Sequence, residues 1–238
     1  MIWADVWDFL TSGANWSGNQ GMGVYLVQQL LLTATSVAVA AVVGLPLALW
    51  LGHIGRGGAL AINISNIGRA VPTFAVLVIL SVGPLGIDRL GPYGRAGLAT
   101  LASLLLFALP PIVTNAYVGM REVDRDVVES ARGMGMRGGE VFRRVELPLS
   151  LPLILTGLRL AVVQVWATAT IAALVAGPGL GNVVTQGFTS NDTAQVVAGA
   201  LLIAAIAVVL EGMMAGLERL LDPRRAARAA ARRDRAVT

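Results

Sequence analysis

VVESARGMGMRGGEVFRRVELPLSLP, running from Val127 to Pro152, is a polar, arginine-studded stretch set between long apolar runs. A plain connection between two membrane helices needs neither this length nor these glycines. Asp124 or Asp126 can cap a helix that begins near Val127, and Glu129 puts negative charge at that helix's positive end. Ser130 and Ala131 are small enough for another surface to approach closely. Gly133, Gly135 and the pair Gly138-Gly139 then interrupt the helix. Val141, Phe142 and Val145 offer apolar contacts among Arg143, Arg144 and Glu146, and Pro148 and Pro152 lead back toward the next apolar run. The expected local structure is a short helix, a turn and a second helix, lying along a membrane surface. A side chain added at Gly135 is expected to crowd that surface.

The rest of the chain supplies the membrane. Of 238 residues, 55% are hydrophobic and only 13% are charged, about half the charge of an ordinary soluble domain. The apolar residues fall in runs of roughly twenty, the length that crosses a bilayer as helix. A soluble protein would have to hide helices that are apolar all round inside a small core. Spans are expected at about Tyr25 to Leu51, Gly97 to Tyr117, Leu151 to Val175 and Ala194 to Leu217. A further, interrupted span joins Ala59–Gly68 to Ala70–Val82, with Asn63, Asn66, Gly68 and Pro72 near the break. Pro110-Pro111 is expected to kink or weaken the third span.

Arginine placement orients these five spans. Arg121, Arg125, Arg132, Arg137, Arg143 and Arg144 lie in one loop, and Arg219, Arg224, Arg225, Arg228, Arg232, Arg233 and Arg235 in the tail, with Arg56 and Arg69 after the first span. The other side has Arg89 and Arg95 and an acidic N-terminal segment. The positive-inside rule places the loop and the C-terminus in the cytoplasm and the N-terminus outside. An odd number of spans agrees. The expected organisation is an external segment over 1–24, a transmembrane domain over 25–220 with its coupling loop at about 120–150, and a basic tail over 221–238. The tail suits anionic lipid; with no aromatic platform around it, it is not read as a nucleic-acid site. Asp5 and Asp8 argue against a cleaved signal peptide.

Catalytic chemistry finds no material here. The chain has no Cys and one His, so thiol nucleophiles and multi-histidine metal sites are excluded within it. All 18 basic residues are Arg, and without Lys no Gly-x-x-x-x-Gly-Lys-Ser/Thr phosphate loop exists. A membrane enzyme would need an acid–base, nucleophilic or metal-binding cluster at membrane depth, and none is visible.

The spacing Glu129-Ser130-Ala131, then Gly135, then Val145-x-Leu147-Pro148 resembles the EAA motif of binding-protein-dependent ABC importer permeases. That motif reads Glu-Ala-Ala, Gly and Ile-x-Leu-Pro at the same intervals; Ser for Ala and Val for Ile are mild departures. Asn66-Ile67-Gly68-Arg69-Ala70-Val71-Pro72-Thr73, Ala131–Met136, Arg144–Leu149 and Gly177-Pro178-Gly179-Leu180-Gly181 resemble the glycine betaine, choline and osmoprotectant group in particular. The resemblance implies an all-α polytopic fold of the type I importer permease class, with a cytoplasmic coupling helix. It implies a subunit of an ATP-driven importer for glycine betaine, choline or a related osmoprotectant, or else for another amine or amino acid. Two ATPase subunits, a second permease copy or paralogue, and an extracytoplasmic substrate-binding protein or domain are the implied partners. ATP and Mg belong to the ATPase and no cofactor to this chain; the implied place is the bacterial plasma (inner) membrane. An ATP-independent solute or ion channel is the alternative of another class, and it leaves the loop without a purpose.

Polar residues inside spans mark a path or helix-to-helix hydrogen bonds, and both readings stay open for Asn63, Asn66, Thr114, Asn115 and Gln164. Arg159 and Glu211 lie near the cytoplasmic ends of their helices, where snorkelling or pairing is expected. Trp166 has no aromatic neighbours in sequence, so it reads as a packing residue and not as part of a cation cage. His53, ending the first span, reads as an interfacial residue. Glu129 either caps or pairs with Arg125 or Arg132, or meets a partner, and these roles are compatible. The loop from Gly177 to Asp192 is expected to cap the path, contact a delivering protein or simply connect.

Overall fold

The computed structural model describes residues 2–58, 63, 71–87, 91–94 and 96–221. Among these, every regular element is a helix. Two short helices, α1 (Ile2–Thr11) and α2 (Gly13–Trp16), are stapled together as Trp16 Nε1 donates to Leu10 O at 2.7 Å and Asn15 Nδ2 to Phe9 O at 2.9 Å. Then comes α3 (Met22–His53), whose 32 residues rise about 48 Å. It begins before Tyr25 and continues past Leu51, beyond the bounds read from hydropathy. The helix α4 (Thr73–Val82) has ten residues, about half of what a bilayer core requires. The first part of the expected second span, with Asn66, lies outside the described residues apart from Asn63, which is exposed. Arg89 and Arg95, read as external, and the tail from Asp222 also lie outside them.

Next are α5 (Gly97–Arg121), α6 (Arg125–Gly133) and α7 (Gly138–Val141). A π turn, Phe142–Glu146, joins α7 to α8 (Leu147–Ala169), which tightens into a 3-10 segment at Thr170–Val175. The chain closes with α9 (Gly181–Ser190) and α10 (Thr193–Leu221). Four helical stretches among the described residues are long and apolar enough to cross a membrane: Met22–His53, Gly97–Arg121, Gly138–Val175 and Thr193–Leu221. The fourth expected span therefore starts earlier than Leu151. Pro148 and Pro152, expected to lead the chain back to the membrane, sit within one continuous helical run. Pro110 and Pro111 lie inside α5, which runs on to Arg121.

Three helices, α3, α5 and α8, form the core, and Leu32, Val37, Ala40, Leu104, Ala108, Ile112, Ala161 and Val165 fill it. Small residues set the spacing, as lipid gives helices no hydrophobic reason to associate and close packing must do so. A Cβ on Gly157 would stand 2.8 Å from Asn115 Cβ and Pro111 O, and one on Gly52 would stand 2.5 Å from Met120 Cβ. By contrast, α10 is a peripheral helix: only Ala198 and Gly199 are buried along it. Its apolar surface suits lipid or another subunit.

Candidate coupling site

The loop read from sequence folds into a capped helix on a glycine turn. Asp124 Oδ1 accepts from Asp126 N at 2.9 Å and opens α6 two residues before Val127. Of the motif's first three residues, Ala131 is buried while Glu129 and Ser130 are exposed. Glu129 makes no ion pair within 4 Å among the described residues, and capping falls to Asp124. The acidic head of the motif thus stays available.

Three backbone bonds close the turn: Met134 N to Ser130 O at 3.0 Å, Gly135 N to Arg132 O at 2.9 Å and Met136 N to Ala131 O at 3.2 Å. Gly135 holds φ at +89° with nothing within 4 Å of where a Cβ would be. The expected crowding is absent within this chain; the glycine is needed because an L side chain rarely adopts that backbone conformation. The turn thrusts out Met134, 74% exposed, a residue the motif does not mark.

The second half of the motif is the root of the loop. Val141 is fully buried, and Val145, Leu147 and Pro148 are half-buried. Glu140 Oε2 accepts from Arg137 N at 3.0 Å to start α7. In the π turn, Leu147 N reaches back five residues to Phe142 O. Glu146 is buried against α3 and hydrogen-bonds His53 Nδ1. Between loop and spans lies a cavity of about 330 Å³ lined by His53, Arg121, Arg125, Glu129, Arg132 and Glu146.

The other candidates scatter. Gln164 is exposed on α8, Asn115 Nδ2 donates to its own helix at Pro111 O at 2.8 Å, and Thr114 Oγ1 is buried without a partner. Trp166 is fully buried and donates from Nε1 to Ile203 O at 3.1 Å. Arg159 does pair, with Nε donating to Glu211 Oε1 at 2.7 Å and Nη1 to Glu218 Oε2 at 3.1 Å, and Thr156 Oγ1 donates to Glu218 Oε1 at 3.0 Å. Glu218 was not anticipated, though it follows Glu211 by seven residues and so shares its helix face. Gln29 was also missed. Fully buried, it donates from Nε2 to Trp166 O at 3.1 Å and accepts from Leu180 N at 2.7 Å. It thereby ties α3 to the far end of α8 and to the Gly177–Asp192 loop. Its only signal was polarity in the first half of an apolar span. Among the described residues no group of three or more His, Asp or Glu is placed to hold a metal ion.

Residues 14–226 match the family described as binding-protein-dependent transport system inner membrane component. The chain is 34% identical over 197 residues to the choline transport system permease protein OpuBD of Bacillus subtilis, covering 82% of this chain and 83% of that protein. It is 33% identical over 209 residues to the carnitine transport permease protein OpuCD of Listeria monocytogenes, covering 86% and 90%. The inward-facing MetNI methionine ABC transporter shares the fold, with a TM-score of 0.69 at 21% identity over 82% of this chain and 93% of that one.

Proposed function

We propose, from the premise that this chain belongs to the binding-protein-dependent transport inner membrane components, that it carries a quaternary-ammonium osmoprotectant, such as choline, glycine betaine or carnitine, through the inner membrane at the expense of ATP hydrolysed by a partner. The protein is a multi-pass ABC importer permease related to osmoprotectant systems, and the family's permease subunits are not enzymes. The substrate class rests on its similarity to choline and carnitine permeases. The coupling role rests on one observation above others: a capped helix that presents Glu129, Ser130 and Met134 to solvent on a turn only glycine readily makes.

Two ATPase subunits would take these residues into a groove on the cytoplasmic side, with Ala131, Val141, Val145, Leu147 and Pro148 anchoring the loop to the spans. A second permease, identical or paralogous, would cover the half of the path that one chain leaves open. Gln164, polar and exposed on α8, would face that path. A binding protein would deliver substrate at the opposite end, beside α9 and the N-terminal helices. The arginine bias supports an external N-terminus and a cytoplasmic C-terminus.

Co-purification with the ATPase, and uptake of labelled choline, glycine betaine and carnitine by cells with and without the gene, test this reading. Met134→Asp and Glu129→Arg should insert normally and lose the ATPase. An intact complex with either variant would refute the docking assignment. Uptake unchanged for all three compounds on deletion would refute the substrate class.

A further inference from the structure

The pairing of His53 with Glu146 joins residues 93 apart in sequence, and nothing in the motif calls for it. Glu146 occupies the variable position between Val145 and Leu147, yet its side chain is only 8% exposed and His53's is 24% exposed. A carboxylate withdrawn from water needs a partner to offset its lost hydration, and the partner here is the last residue of α3. Glu146 is the last residue of the π turn. One extra residue per turn shifts helical register by about 100°, and such bulges collect at functional sites. Its first residue is engaged as well: the Phe142 and His53 rings meet edge to face, centroids 5.5 Å apart at 74°. Both ends of the π turn therefore grip one imidazole. The surrounding junction is tight, since Gly52 abuts Met120 and Ser150 Oγ donates to Met120 Sδ at 3.4 Å.

We propose that His53 and Glu146 are positioning residues that clasp the root of the coupling loop to the first spanning helix. Movement imposed on α6 by an ATPase then reaches α3 and α8 together instead of α8 alone. The clasp rests on the docking reading for its purpose but not for its existence. Arg121, Arg125, Arg132 and Glu129 face the same cavity, so the pair sits in a charged setting where exchange of partners is the competing outcome.

The chain lacks cysteine, so a spin label can be placed on Arg137→Cys, which is exposed in the turn. In the full chain in lipid nanodiscs, His53→Ala and Glu146→Ala should each loosen the label, and the double variant should loosen it no further. The milder Glu146→Gln keeps the side chain's shape, so its effect stands if an alanine variant fails to insert. In the complex with its ATPase, each single variant should lower choline taken up per ATP hydrolysed by roughly five- to tenfold, the lower range of coupling between sites. The exchanged pair His53→Glu with Glu146→His should recover part of that loss. Unchanged label mobility, or additive effects in the double variant, would overturn the clasp. Looser labels with uptake per ATP unaltered would overturn its role in transmission. If no ATPase binds the unmodified chain, the functional reading fails and label mobility alone judges the clasp.

Discussion

Replacing Gln29 with Leu should open the end of the helix bundle opposite the α6 loop, and the size of the effect can be worked from its hydrogen bonds. Gln29 Oε1 is the partner of Leu180 N at 2.7 Å, and both residues are fully buried. Deleting the acceptor leaves that N–H orphaned, at a cost of about 1–3 kcal/mol. The donor arm is worth less. Trp166 O keeps its helical surroundings, and an interhelical hydrogen bond inside a membrane averages about 0.6 kcal/mol. A net loss of about 2 kcal/mol is expected, or roughly thirtyfold in a local opening equilibrium. Hydrogen exchange over the peptide spanning Leu180 in nanodiscs reads this directly, as a roughly thirtyfold fall in protection. Gln28 supplies the control: its Oε1 is buried with no partner, so Gln28→Leu should be neutral or stabilising. Equal effects of the two substitutions, or a Gln29→Leu change under about twofold, would refute the reasoning.

Three further substitutions test other parts of the frame. Arg159→Ala strands Glu211 and Glu218; these groups are a quarter to two-fifths exposed, so solvent screening should keep the loss of stability well below that of a buried broken pair. Arg159→Lys should recover only part of it, as one ammonium cannot match the guanidinium fork, and thermal unfolding of the two variants measures both. Gly135→Ala forces a side chain to φ +89° and should cost about 1–2 kcal/mol of turn stability. Gly139→Ala, with open space and an ordinary φ, should cost little, and spin-label mobility in the loop separates them. Gly157→Ala places a methyl 2.8 Å from Asn115 Cβ and Pro111 O, so overpacking should lower stability by about 1–3 kcal/mol, visible as a lower unfolding temperature.

Legibility followed the range of the interaction. Helix α6 and its turn were readable because the cap, the small residues and the glycine act within a few residues of one another. Asp124, Ala131 and Gly135 each fill a local role that local chemistry dictates. The long spans were readable because bilayer thickness sets a minimum run of apolar residues, although their ends shifted where helix continued past the hydropathy boundary, as at His53 and Gly138. Pro148 stands in the first turn of α8, where a proline is tolerated. The pairs Gln29 with Leu180 and His53 with Glu146 were not readable, since their partners are set by how α3 and α8 lie antiparallel. Met134 escaped for another reason. A lone methionine in a loop carries no pattern, and only the turn shows that it points outward.

The helical run from Gly138 to Val175 is 38 residues long and has Glu146 near one end. At 1.5 Å per residue, about 12 Å of the run lies on the α6 side of Glu146 and about 44 Å on the other. His53 holds the run to α3 at Glu146, and Gln29 holds it to α3 again at Trp166. Fastened to one neighbour at two well-separated points, the long arm can tilt only as one body with α3.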